Sequence, residues 1–163
     1  MTGLPSTGQQ PSGRDQIDPR GPRFGAGITA LLLLGVLGLE LSGYTTSAAL
    51  LLAAIAALFA WGAFAGIRRH PYAVLFARFV RPQLAPTSER EGAAPPTFAQ
   101  GVGLAVTLAG LVLHLLGVPL AIGVAAGAAF IAAFLNAVFA YCLGCQIYLG
   151  LLRAGLLGPS ARA

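Results

Sequence analysis

The sequence predicts an all-α polytopic membrane protein. Four transmembrane helices are expected, as two repeated hairpins, with a short interfacial helix on the cytoplasmic side. Three observations carry this. Of 163 residues, 56% are hydrophobic and only 9% charged, against about a quarter charged in a typical soluble domain. Four apolar runs, residues 24–44, 48–67, 98–117 and 120–141, each come close to the roughly 20 residues a helix needs to cross hydrocarbon. All the arginines fall on one side of those runs, and there is no lysine.

Residues 1–23 are polar and rich in Pro, Gly, Ser and Gln. With no apolar core before residue 24 they do not read as a signal peptide, and a disordered cytoplasmic tail is expected. The first two runs form a hairpin closed by the short turn 43–47. Between the second and third runs, residues 71–82 are bracketed by Pro71 and Pro82. There Leu75, Phe76, Phe79 and Val80 form an apolar stripe edged by Arg78 and Arg81, the pattern of a helix lying in the interface. Residues 83–97 read as an exposed loop. The third and fourth runs form the second hairpin, and the fourth carries an apolar extension to Leu152. The membrane domain is thus 24–155, followed by a short tail, 156–163. Strands lining a lumen would alternate polar and apolar residues, which these runs do not.

Orientation follows from charge. Arg14, Arg20 and Arg23 precede the first run; Arg68, Arg69, Arg78, Arg81 and Arg90 lie between the second and third; Arg153 and Arg162 follow the fourth. The two opposite turns have no arginine. The positive-inside rule then places both termini in the cytoplasm of a cell membrane. The net charge of +5 therefore reads as a topology signal and lipid-phosphate contact rather than as nucleic-acid binding.

The halves resemble each other. Pro22, Phe24 and Gly27 recur as Pro96, Phe98 and Gly101, an offset of 74 that also relates Gly43 to Gly117. This offset sets Glu40 against His114. With a two-residue shift, Arg68-Arg69-His70-Pro71-Tyr72 aligns with Gly144-Cys145-Gln146-Ile147-Tyr148. Such a repeat is parallel, with its axis along the membrane normal.

Both cysteines, Cys142 and Cys145, follow the fourth run at the expected cytoplasmic interface. Three residues apart on a helix, they share a face. A reducing cytosol would keep them as thiols at rest. If Leu143-Gly144 breaks the helix, Cys145 begins a new one and its thiolate is favoured. The alternative is that both are small packed hydrophobes. A metal site is weaker, because one chain offers two thiols and only His70 on the same side, short of the four ligands zinc prefers. Arg68, Arg69 and His70 would support a thiolate or hold a small anion beside it, or else anchor the chain to anionic lipid. Within the apolar runs, Glu40 and His114 would pair or reach interfacial water, and Asn136 would bond another helix or a ligand. Gly123 and Gly127 suit close helix packing. No nucleotide motif, serine triad or haem ligand pair is present, so no cofactor is implied.

Several of these residues carry a resemblance. Asp18-Pro19-Arg20, Arg69-His70-Pro71-Tyr72, Pro96-Thr97-Phe98-Ala99-Gln100-Gly101, and Leu135-Asn136 leading to Cys142-Leu143-Gly144-Cys145 and Tyr148 resemble the bacterial membrane family domain of unknown function 4395. The resemblance spans residues 17–153 and implies sulfur or thiol metabolism, because members are often encoded beside thioredoxin-like and rhodanese-type proteins. Three functions are expected in turn. The first is a dithiol, Cys142 and Cys145, exchanging electrons or sulfane sulfur with such a partner. The second is an oligomeric transporter or channel for a sulfur species, with Glu40, His114 and Asn136 along its path. The third is a scaffold that recruits soluble partners through the basic loop.

Overall fold

The computed structural model describes residues 16–156. Arg14, Arg162 and most of both predicted tails lie outside the described residues. Four long helices dominate: α1 (Arg20–Leu41), α2 (Thr45–Ala65), α4 (Ala94–Leu115) and α5 (Ala121–Phe139). Shorter elements are the strands β1 (Gln16–Ile17) and β2 (Glu91–Gly92) and the helices α3 (Pro71–Leu75) and α6 (Leu143–Arg153). The four long helices have 19 to 22 residues and are apolar enough to cross a membrane. At about 1.5 Å per residue each matches a hydrocarbon core of about 30 Å. The chain is a multi-pass, all-α membrane protein.

Helices α1 and α4 each begin one turn before their apolar runs, at Arg20 and Ala94. Pro22 and the pair Pro95-Pro96 fall in the first turn, where a missing N–H breaks no helical bond. Asp18 secures the start of α1: its carboxylate accepts from the Arg20 backbone N–H at 3.0 Å and from the Arg20 guanidinium at 2.9 Å. The predicted interfacial segment is helical throughout. Helix α3 widens into a π-helical turn over Phe76–Val80 and tightens into a 3₁₀ turn over Arg81–Gln83. Val74, Leu75 and Phe79 remain exposed, while Phe76 turns inward against Phe24. The loop expected over 83–97 is shorter than the sequence suggests, because β2 and the first turn of α4 lie within it.

In the core, α1 packs on α5 and α2 on α4. Leu33, Val36, Leu52, Ile55 and Ile122 are its fully buried centre. Leu31, Leu50, Phe64 and Leu115 point outward and are exposed, as lipid-facing positions should be. The closest approach of α4 to α5 is at Gly110, where a methyl group would collide with Ala125. Gly123 and Gly127, expected to serve this purpose, meet only Glu40 at 3.7 Å and open space.

The repeat is built into the elements. Helix α1 spans 20–41 and α4 spans 94–115, an offset of 74 at both ends. Gly43 and Gly117 take matching positive φ of 81° and 80°. The packing of α1 on α5 mirrors that of α4 on α2, and α3 meets α1 as α6 meets α4. The last elements, however, are offset by 72, not 76. Phe76 packs on Phe24 as Tyr148 packs on Phe98, with ring centroids 5.8 and 5.5 Å apart. Tyr72 lies against Gly25 as Gly144 lies against Ala99. The counterpart of Cys142 is therefore His70, and that of Cys145 is Ala73 rather than Arg69.

Candidate functional site

The break that creates the site comes just before the cysteines, not at Leu143-Gly144. Helix α5 stops at Phe139 because Ala140 enters the left-handed region, with φ of 56°. The Tyr141 N–H closes back on the Leu135 carbonyl at 3.2 Å, as in a Schellman termination. The position 74 residues earlier is Gly66, also at positive φ, where glycine carries no Cβ penalty. Each half then starts a new helix with a side-chain cap, two residues after Ala140 in the second half and four after Gly66 in the first, where the 3₁₀ turn Ile67–Arg69 intervenes. In the first half it is His70, whose imidazole accepts from the Tyr72 N–H at 3.2 Å. In the second it is Cys142, whose sulfur accepts from the Cys145 N–H at 3.3 Å.

Cys142 thus occupies the cap of α6 in an extended conformation, and Cys145 sits in its first turn. Their Cα atoms are 5.2 Å apart and the sulfurs are joined as a disulfide. The sequence reading expects resting thiols here. The cap geometry brings the pair within the usual 4.4–6.8 Å bridging range. The two are unequal: Cys145 is only 7% exposed, whereas Cys142 is half-buried. Gly144 presses against Ala99 of α4, which holds the start of α6 on the bundle.

A cavity of about 280 Å³ opens beside the dithiol. Its walls come from α1, α2, α4, α5 and the head of α6, and they include Cys142, Asn136, Gln100, Thr29 and Phe59. Asn136, predicted only as an intramembrane polar group, is thereby brought to the dithiol. Gln100 was within reach of sequence reasoning, as an amide in the third apolar run. It was read there only as part of a helix-start motif.

The predicted basic group does not gather at the thiols. Arg68 and His70 line a second cavity of about 350 Å³, together with Arg81, Arg90 and Tyr72. It adjoins the first at Pro22 and Gln100, which line both. Arg69 is exposed, and its carbonyl accepts from the Trp61 indole at 3.1 Å. Arg23 reaches the Ala137 carbonyl in the last turn of α5 at 3.4 Å, a cation where the helix dipole favours one. Glu40 and His114 form no ion pair with each other, and Glu40 Oε2 is buried without a hydrogen-bond partner.

His70 is a structural residue of the first half. It is 2% exposed. Its Nδ1 accepts from Tyr72, so Nε2 carries the hydrogen and donates to the Leu58 carbonyl at 3.1 Å. Burial holds its pKa below the ordinary 6.5. Above that value the residue is neutral whether folded or unfolded. As pH falls below it, the unfolded chain takes up a proton that the folded chain resists, and stability is lost until the folded imidazole titrates too. Thermal unfolding in detergent should shift down between about pH 7.5 and 5.5, and part of that slope should vanish in His70→Asn. At neutral pH, His70→Ala should cost about 1–3 kcal/mol by stranding the Tyr72 N–H and the Leu58 carbonyl.

The family described as domain of unknown function (DUF4395) matches residues 17–153. The chain belongs to that family. No curated protein and no solved structure matches it.

Proposed function

We propose that this member of the family is a membrane thiol–disulfide exchange protein. Cys142 is the sulfur that partners attack and Cys145 the one that resolves. The carrying observation is the asymmetric dithiol at the head of α6, half-exposed at the cap and buried in the first turn. A thiolate from a partner attacks Cys142 Sγ, the S–S bond breaks, and Cys145 leaves as a thiolate. The partner's second thiol then attacks the mixed disulfide and releases reduced Cys142. Two electrons pass to the chain and the partner becomes oxidised. When reduced, the Cys142 thiolate is favoured by the α6 dipole and by the Cys145 N–H.

The partner that this step requires is a dithiol protein of the thioredoxin-like kind, in the cytoplasm. The dithiol shares its end of the bundle with Arg20, Arg23, Arg68 and Arg81, and under the positive-inside rule this supports a reading with that end and both termini on the cytoplasmic side of the cell membrane. A membrane-impermeant maleimide, applied after mild reduction, tests this. Labelling of Cys142 in inside-out but not right-side-out vesicles is expected, with loss of labelling after reoxidation. Labelling only once detergent is added would make the pair packed thiols and end the reading.

A further inference from the structure

We propose that the cavity beside the dithiol seats a membrane-dissolved quinone, which accepts the two electrons that Cys142 and Cys145 collect. The inference rests on the thiol-exchange reading and adds where the electrons go. The cavity runs from Cys142 past Asn136 to Ala129 on α5. Those last two residues are seven positions apart, about 10 Å of helix rise into the apolar zone. Its walls are mainly alanine, glycine and valine, and none of its lining residues is charged. A sulfur oxyanion would gain nothing there; the arginines line the neighbouring cavity instead. The occupant must therefore be neutral and soluble in lipid.

The polar groups are few and suited to carbonyl oxygens. Gln100 and Asn136 are the amide side chains of the lining; the Gln100 carboxamide lies against Gly62 of α2, and neither amide is hydrogen-bonded to another described residue. A quinone ring offers two carbonyl acceptors, one for each. The volume of about 280 Å³ falls just below the roughly 300 Å³ at which ligand pockets begin, so it suits a single ring whose tail leaves between helices. The redox chemistry also matches. The Cys142 thiolate adds to a ring carbon; the Cys145 thiolate then attacks Cys142 Sγ. The S–S bond forms, the C–S bond breaks with its electron pair going to the ring, and two protons complete the quinol. One dithiol and one quinone give one disulfide and one quinol.

The test uses the whole chain, reduced and held anaerobically in phosphatidylcholine nanodiscs, with decyl-ubiquinone as probe. Thiols are counted by maleimide mass shift and quinol by absorbance; glutathione disulfide serves as a water-soluble oxidant for comparison. We expect loss of both thiols with one quinol formed per disulfide. In Ala132→Phe, which fills the cavity, the ratio of the quinone rate to the glutathione disulfide rate should fall at least about tenfold. In Asn136→Leu, which leaves the packing nearly intact, the same ratio should fall about fivefold, one hydrogen bond's worth. Thiols that survive the quinone but not glutathione disulfide would overturn this inference alone. An unchanged ratio in Asn136→Leu, or in a folded Ala132→Phe, would overturn it too, leaving an acyl chain as the occupant. Thiols that resist both oxidants would overturn the exchange reading as well.

Discussion

A Cys145→Ser chain retains glutathione as a mixed disulfide on Cys142, whereas the unaltered chain, reduced and given the same glutathione disulfide, proceeds to its internal disulfide. Cys142 at the cap is the more accessible of the two sulfurs and should react first. Without Cys145 nothing within reach displaces the adduct, so it accumulates to near completion. Cys142→Ser should fall to background exchange, because the remaining thiol is 7% exposed and lies behind the cap. Intact mass after acid quench distinguishes the three chains. Equal adduct on both single-thiol chains would refute the division of roles; a faster adduct on Cys145 would reverse it.

Gly144→Ala damages both stability and exchange. A Cβ at this position would lie 2.5 Å from the Ala99 Cβ and 2.6 Å from its Cα. The second contact is with backbone, which no rotamer change relieves, so α6 must move off α4 or the helices must part. Overpacking of this kind costs about 1–3 kcal/mol, and because Gly144 lies between the cysteines the displacement carries the cap with it. Thermal unfolding in detergent and the glutathione assay should fall together. Ala99→Gly in the same chain removes one of the two contacts and should recover part of both losses. A Gly144→Ala chain with unchanged unfolding would show that α6 is not held against α4 as described.

The spans were legible because lipid demands long uninterrupted apolar runs, and little else produces them. The arginine asymmetry and the 74-residue offset were equally plain. The end of α5 was not. Ala140-Tyr141-Cys142 contains no glycine or proline, and alanine rarely takes φ of 56°; the neighbouring Gly144 looked the better breaker, yet it serves packing. The second offset was misjudged because Tyr72 and Tyr148 align by identity. In the fold Tyr148 matches Phe76, since what the position requires is a ring against Phe24 or Phe98. Pairing of Glu40 with His114 was one of two sequence options, since both lie near the outer ends of their helices and they are equivalent in the repeat. That equivalence sets them on α1 and α4, which pack on α5 and α2 rather than on each other. The cavity was not legible either, because its walls come from residues far apart in the chain.

The small strand pair has a consequence of its own. Gln16 pairs with Gly92 and Ile17 with Glu91, so exchanging the two halves maps the pairing onto itself. That self-complementarity is the mark of an isologous contact between identical subunits. Here both subunits are one chain, in effect a homodimer fused end to end. Fusion lets equivalent positions diverge, which a true homodimer forbids. One copy of the helix cap has become an imidazole bound wholly to backbone, and the other a sulfur of the disulfide. The molecule therefore has the architecture of a symmetric assembly but carries its one dithiol in only one of the two halves.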